Sequence, residues 1–156
     1  MLLFLFAVWI LLTYPINNHE IIAGAIISVF IVLISLGSPC LVSEINLSPK
    51  SFIYLIGYIF FFIFALVKSN LDVAFRVLNP ELPINPGIVK VQTKLKSKLG
   101  RLVLANSITL TPGTLTVETV DEHFYIHWID VQGKNIQEST EKIVYNFERF
   151  LEVIFG

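Results

Sequence analysis

His123 and His127 stand four residues apart, the spacing at which two imidazoles on one helical turn can hold a zinc ion. The segment around them alternates instead: Phe124, Ile126 and Trp128 fall on one side, so it reads as a strand. Four strand residues span about 13 Å, too far for one ion. Cys40 is the only cysteine, which excludes an intrachain disulfide and leaves no thiol pair for metal or redox work. It reads as a loop or interface residue. No Ser-His-Asp arrangement, paired acid or nucleotide fingerprint can be assembled from the remaining residues. No catalytic residue, metal, cofactor or small-molecule substrate is therefore expected for this chain alone.

The most distinctive local string is Thr109-Leu110-Thr111-Pro112-Gly113-Thr114. Free backbone N–H groups around Pro112-Gly113 could hold an anion or a partner's carboxylate. The string lacks the lysine and the spacing of a phosphate loop. Its hydroxyls also suit a tight helix-to-strand turn, where they bond the backbone, and that reading is preferred. Asn106 precedes it on the expected inner face of a helix, where a polar side chain must find partners if buried. It is expected to brace the turn.

The elements that carry these residues follow from where the charges are. Residues 1–67 contain only Glu20, Glu44 and Lys50; all other Asp, Glu, Lys and Arg residues lie in 68–156. The whole chain is 54% hydrophobic and 15% charged, and a step this sharp within it marks a boundary. Three apolar runs precede the step: Leu2–Ile16, Ile21–Leu36 and Phe52–Val67. They read as three short transmembrane helices, each a few residues under the usual span of about 20. The first run has no basic n-region and no small-residue cleavage site, so it reads as a retained span, not a signal peptide. Gly24, Ser28, Ile31 and Ser35 share a face of the second run, and small residues four apart allow close helix packing. No Asp, Glu, Lys, Arg or His lies inside the runs. Ion paths through membranes are marked by such residues, which argues against this chain being the carrier.

The third helix is expected to continue past Lys68. Leu71, Phe75 and Leu78 extend an apolar stripe, Asp72 and Arg76 make an i,i+4 pair, and Asn79-Pro80 ends the helix. Ser48 or Ser51 could cap its start. The chain thus divides into a membrane part, 1–79, and an α+β domain, 80–156. Residues 68–101 carry an excess of five positive charges, which positive-inside bias places in the cytoplasm, with the N-terminus outside for three spans. Nucleic acid is a weaker partner for this basic stretch, because no known basic-aromatic module accompanies it.

The domain reads β-α-β-β-α in two layers. Strand Ile88–Leu95 turns Val89, Val91, Thr93 and Leu95 inward. A helix capped by Ser97 presents Leu99, Leu102, Val103, Asn106 and Leu110. A hairpin follows: Thr114–Val120, with Leu115 and Val117 inward, then His123–Val131. One amphipathic helix, Ile136–Ile154, closes the domain.

Five strings carry a family resemblance: Lys68-Ser69-Asn70-Leu71-Asp72-Val73, Leu78-Asn79-Pro80, Pro86-Gly87-Ile88, the run Leu104 to Val117, and Tyr125 to Val131. Together, in order and over nearly the whole chain, they resemble the E-type subunits of the multisubunit Mrp-type Na+/H+ antiporters. Lys68, Asn70, Asp72, Asn106, Thr109, Thr111, Pro112 and Gly113 fall on that pattern. The resemblance implies a small accessory subunit of a proton/sodium-exchanging complex in a prokaryotic cell membrane. Similar modules occur in energy-converting membrane-bound hydrogenases and sulfur reductases. Expected partners are the other subunits of such a complex and the lipid bilayer; Lys68, Asn70, Asp72, Arg76, the Thr109–Gly113 turn, Gly24 and Ser28 are candidate structural or interface positions. A membrane-anchored adaptor that binds lipid or protein through its basic stretch is the alternative.

Overall fold

A computed structural model of the chain describes residues 2–13, 15, 17–35, 44, 46 and 48–156. Cys40 and the expected run ends at Ile16 and Leu36 lie outside the described residues. The chain forms two compact units, residues 1–41 and 42–156.

The first unit is a pair of helices, α1 (Leu2–Leu12) and α2 (Asn18–Ser35). Among its described residues, Gly24 and Ser28 are the buried ones. The Trp9 ring lies directly against Gly24, and its indole N–H donates to the Glu20 carbonyl at 2.9 Å. Gly24 is therefore used inside the pair: a side chain there would collide with the ring. The rest of both helices exposes Leu, Ile, Val and Phe. Surface of that composition is stable in lipid, not in water.

The second unit begins with α3 (Pro49–Leu78), thirty residues or about 45 Å long. Ser48 caps it, its hydroxyl accepting from the Ser51 N–H at 3.2 Å, and Asn79 ends it before Pro80. Only α2 and α3 are long and apolar enough to cross a membrane among the described residues. Next come β1 (Gly87–Gln92), α4 (Lys98–Leu110), β2 (Thr114–Val120), β3 (His123–Trp128), α5 (Ile136–Ile143) and α6 (Tyr145–Phe155). The sheet is ordered β1-β3-β2, and β3 is antiparallel to both neighbours. β1 and β2 are therefore parallel to each other, joined through α4, with β3 inserted between them: a split βαβ unit.

The core joins one face of this sheet to α4, α5 and α6 through Val91, Phe124, Ile126, Leu104, Val144 and Leu151. Strands β1 and β3 bury the residues that alternation predicts. Three other expectations are corrected. First, α4 turns a different face inward: Gly100, Leu104, Ser107 and Ile108 are buried, whereas Leu102 is 53% exposed and Asn106 is exposed. The small Gly100 and Ser107 admit close neighbours, Phe155 and Tyr58, that larger side chains would displace. Second, Leu115 and Val117 face out, at 51% and 57% exposure. Up to the bulge between Thr116 and Glu118 the alternation runs in the opposite phase: Thr114 and Thr116 are the covered residues, and the Thr116 hydroxyl donates to Ala105 of α4. Third, the final helix is two. The chain bends at the buried Val144, so that α5 covers β1 while α6 turns toward α3. The third strand also stops early: beyond Trp128, Ile129 and Val131 bond the Asn85 backbone in an isolated parallel bridge.

The placement of α3 differs most from expectation. It does not lead away from the domain but lies along it as a further layer. Tyr54, Tyr58, Phe61, Phe62 and Ala65 pack against the core. The Phe61 ring stacks on Phe150 and meets Phe147 edge-on, both with centroids 5.4 Å apart. Ser51 donates to the Val153 carbonyl at 2.9 Å, and the Tyr58 hydroxyl bonds Ser107 of α4.

Two truncations on α4 separate the observed face from the expected one. Leu104→Ala should destabilise the second unit by about 2–5 kcal/mol, while Leu102→Ala should stay within about 0.5 kcal/mol of wild type. Thermal unfolding of the detergent-solubilised chain measures both.

Candidate functional site

The distinctive residues of α3 and of the Thr-Pro-Gly turn meet in one groove of about 380 Å³. Its α3 wall carries Phe61, Phe64, Ala65, Lys68, Ser69 and Asp72. Thr111, Pro112 and Thr114 face it from the α4–β2 turn, with Trp128, Lys142 and Asn146 completing the rim. One end is apolar and the other carries two lysines and a carboxylate.

A charged network closes the polar end. Arg76 Nε donates to Asp72 at 2.8 Å, and its Nη1 reaches both Asp130 Oδ2 at 3.0 Å and the Pro83 carbonyl at 2.7 Å. One guanidinium thus ties α3, the proline-rich connector and the segment after β3. Its rigid fork of donors suits this; a lysine would supply a single point of attachment. Asp130 also accepts from the Gln132 amide at 2.9 Å. That bond, reinforced by Arg76, holds the Asp130 carboxyl below the usual carboxylate range. Lys142 donates to the Gln132 carbonyl at 3.3 Å.

The Thr-Pro-Gly string behaves as a turn. The hydroxyls of Thr111 and Thr114 both donate to the Ile108 carbonyl, at 2.8 and 2.6 Å. They satisfy a carbonyl left open at the end of α4. Gly113 has φ +93°, and its carbonyl accepts from Ile129 N–H at 2.8 Å. A Cβ there would be strained and would press on Ile129 at 3.0 Å. Thr109 accepts from Thr116 N–H at 3.1 Å, away from the groove.

The structure therefore gathers Lys68, Asp72, Arg76, Thr111, Pro112 and Gly113. Asn70 is exposed and bonds back to the Leu66 carbonyl. Asn106 and Thr109 line a separate shallow depression, and Gly24 and Ser28 belong to the first unit. His123 and His127 lie on the exposed sheet face, and no group of three or more His, Cys, Asp or Glu residues able to hold a metal occurs among the described residues.

Residues 2–154 match the family model described as Na+/H+ ion antiporter subunit. The chain belongs to this antiporter-subunit family. Relatives include the Na(+)/H(+) antiporter E subunit of Alkalihalophilus pseudofirmus, 45% identical over 56% of each chain. The Na(+)/H(+) antiporter E1 subunit of Staphylococcus epidermidis is 32% identical over 88% of each. The match thus spans little more than half of the first relative and most of the second. Among solved structures, a chain of the archaeal membrane-bound sulfane sulfur reductase, a respiratory membrane complex, is 43% identical. It superposes with a TM-score of 0.81 over 99% of this chain and 96% of its own length.

Two carboxylates outside the sequence-derived site hold this antiporter-family chain together. Glu44 accepts from the Ser97 hydroxyl at 2.5 Å and from Leu99 N–H at 2.9 Å, capping α4 from a segment that precedes α3. Glu148, buried on α6, accepts from Thr93 and from Lys94 N–H. No local pattern announces either, because both partners are tens of residues away. Only the acidic Glu44 in an otherwise charge-poor region is a signal.

Arg76→Ala should loosen the connector, since three oxygens lose a charged donor. Faster proteolysis within residues 79–86 is the readout, and Arg76→Lys should restore only part of the protection. Acid should release the Glu44 cap. The Ser97 and Leu99 bonds lower its pKa from 4.5, so the stabilisation is complete above that pH and lost as pH falls further below it. Glu44→Gln should show the released state already at neutral pH, read as faster hydrogen exchange in the first turn of α4.

Proposed function

We propose that the chain is a non-catalytic accessory subunit of a monovalent cation/proton antiporter module. The module stands alone or is built into a larger respiratory membrane complex, such as a sulfur reductase or a membrane-bound hydrogenase. The observation that carries this reading is the absence of Asp, Glu, Lys, Arg and His inside the apolar runs, in a chain of an antiporter-subunit family. Ion translocation needs protonatable or cation-binding groups along a path. The charges that gather on α3, Asp72 and Arg76, are spent on each other and on the connector.

In this reading the α1–α2 pair is embedded in the cell membrane among the neighbouring subunits. Residues 80–156 lie on the cytoplasmic side, where the five-charge excess of residues 68–101 would favour them. Residues 1–79 are the membrane-associated part. The groove between α3 and the Thr-Pro-Gly turn has no nucleophile paired with a base, which supports a bracing role over catalysis.

Affinity purification of the tagged full chain from its own cell membranes in mild detergent should recover multispanning antiporter-type subunits. Recovery as a stable lone monomer would defeat the proposal. Deleting the chain should lower the assembled complex and its Na+/H+ exchange in parallel, leaving the exchange per assembled complex unchanged.

A further inference from the structure

The two sides of α3 are unlike. Ser51, Tyr54, Tyr58, Phe61, Phe62, Ala65, Ser69, Val73 and Arg76 recur every three or four residues and face the domain, covered wholly or in part. The opposite side exposes an apolar stripe from Phe52 through Ile56, Phe60, Ile63, Val67 and Leu71 to Leu78. Length and composition admit α3 as a transmembrane span. Its packing points elsewhere.

We propose that α3 lies along the membrane surface, its stripe sunk into the headgroup–acyl boundary of one leaflet and the domain riding above. The occupant of the bare face is lipid. This rests on the membrane placement of the chain proposed above.

Three observations carry it. Of the residues that a span would centre in the hydrocarbon, Tyr58, Phe61, Phe62 and Ala65 are docked on the core of the domain. Upright, α3 would draw the exposed Arg149 and Glu152 of α6 into the bilayer with it. Charges there are costly and sit in water or against partners. Second, the helix is about 45 Å long, against about 30 Å of hydrocarbon, and its last three turns include Lys68, Asn70 and Asp72. Third, the basic groups lie where headgroups would meet them. Lys50 sits 5.8 Å from the Tyr54 ring and Arg149 sits 4.8 Å from the Phe150 ring, both beside the stripe; Lys68 is exposed on α3 itself. Apolar on one side and cationic along the border, the helix has the make-up of an interfacial element. The acid on α3, Asp72, is neutralised by Arg76.

The assembled complex in sealed vesicles tests this. In a Cys40→Ser background, Lys50→Cys and Val77→Cys should both react with a membrane-impermeant maleimide from the same side. A fluorophore at Phe60→Cys or Val67→Cys should be quenched by phospholipid doxylated near the headgroup, and less by one doxylated near the chain end. Opposite-side labelling of the two ends, with deep quenching at residue 60, would establish a span and overturn the proposal. Same-side labelling with no quenching by either lipid would assign the stripe to a partner protein and overturn it too. Variants that fail to assemble are bypassed with the wild-type complex and a phospholipid carrying a photoactivatable carbene just below the headgroup. Labels recurring every three or four residues from 52 to 78 support the surface helix; labels confined to its middle, or none, refute it. Failure here with normal co-purification would leave the accessory-subunit assignment intact, whereas a lone monomer would remove that assignment first.

Discussion

The contact between α3 and α6 is the constraint on which the second unit depends. A thirty-residue apolar helix cannot be left bare in water, and a three-stranded sheet with short helices has little core of its own. Phe61, between Phe147 and Phe150, solves both problems at once. It gives α3 a covered side and gives the helical layer a second apolar wall. Gly57 permits this by letting the Phe150 ring approach: a Cβ would come within 3.3 Å of it. The bend at Val144 follows from the same demand. A straight helix could not both cover β1 and reach α3, so the chain breaks where Val144 is fully buried.

Much of this is legible in the sequence, and the misses have physical causes. Local signals work: Ser48 and Ser97 as caps, Asn79-Pro80 as a stop, Asp72 with Arg76 as a pair, and alternation in β1 and β3. Each depends on residues a few positions apart. Periodicity fails where burial is decided by neighbours far along the chain. On α4 the eye follows Leu102 and Leu110, but the inward positions are Gly100 and Ser107, chosen because Phe155 and Tyr58 come close. On β2 the threonines turn inward, Thr114 and Thr116 bonding the Ile108 and Ala105 carbonyls of α4, and no local pattern marks this. The apolar run of α3 reads as a span, and its length and composition admit one; its docking on the domain is invisible locally, because Phe147 and Phe150 lie far along the chain. The family strings include Lys68, Asp72, the Thr-Pro-Gly turn and Asp130 without showing what gathers them; Gln132 and Lys142 carry no signal of their own.

Most polar residues around the groove, Lys68 and Asn146 apart, form bonds that close on themselves. Thr111 and Thr114 satisfy the end of α4, Gly113 takes the Ile129 N–H, and Arg76 spends its donors on Asp72, Asp130 and Pro83. Groups so engaged are poor candidates for binding or passing ions, because each would have to surrender a partner first. They are good candidates for holding a geometry. The antiporter-family match and the bonding pattern therefore agree without leaning on each other: one names a membrane ion-exchange setting, the other argues against a chemical role for this chain within it.

What the bracing fixes is the relation between an apolar surface and a polar domain. Because α3 is docked along its length, from Ser51 on Val153 to Arg76 on Asp130, it offers no hinge between them. The connector that follows is bonded back as well, through Arg76 to Pro83 and through Asn85 to Ile129 and Val131. Glu44 adds a tie at the opposite end, from before α3 to the start of α4. A helix anchored at both ends and through its middle moves with its domain as one body. Such a body can set the distance between a membrane surface and whatever lies above it, and that is a task for which a rigid chain is suited.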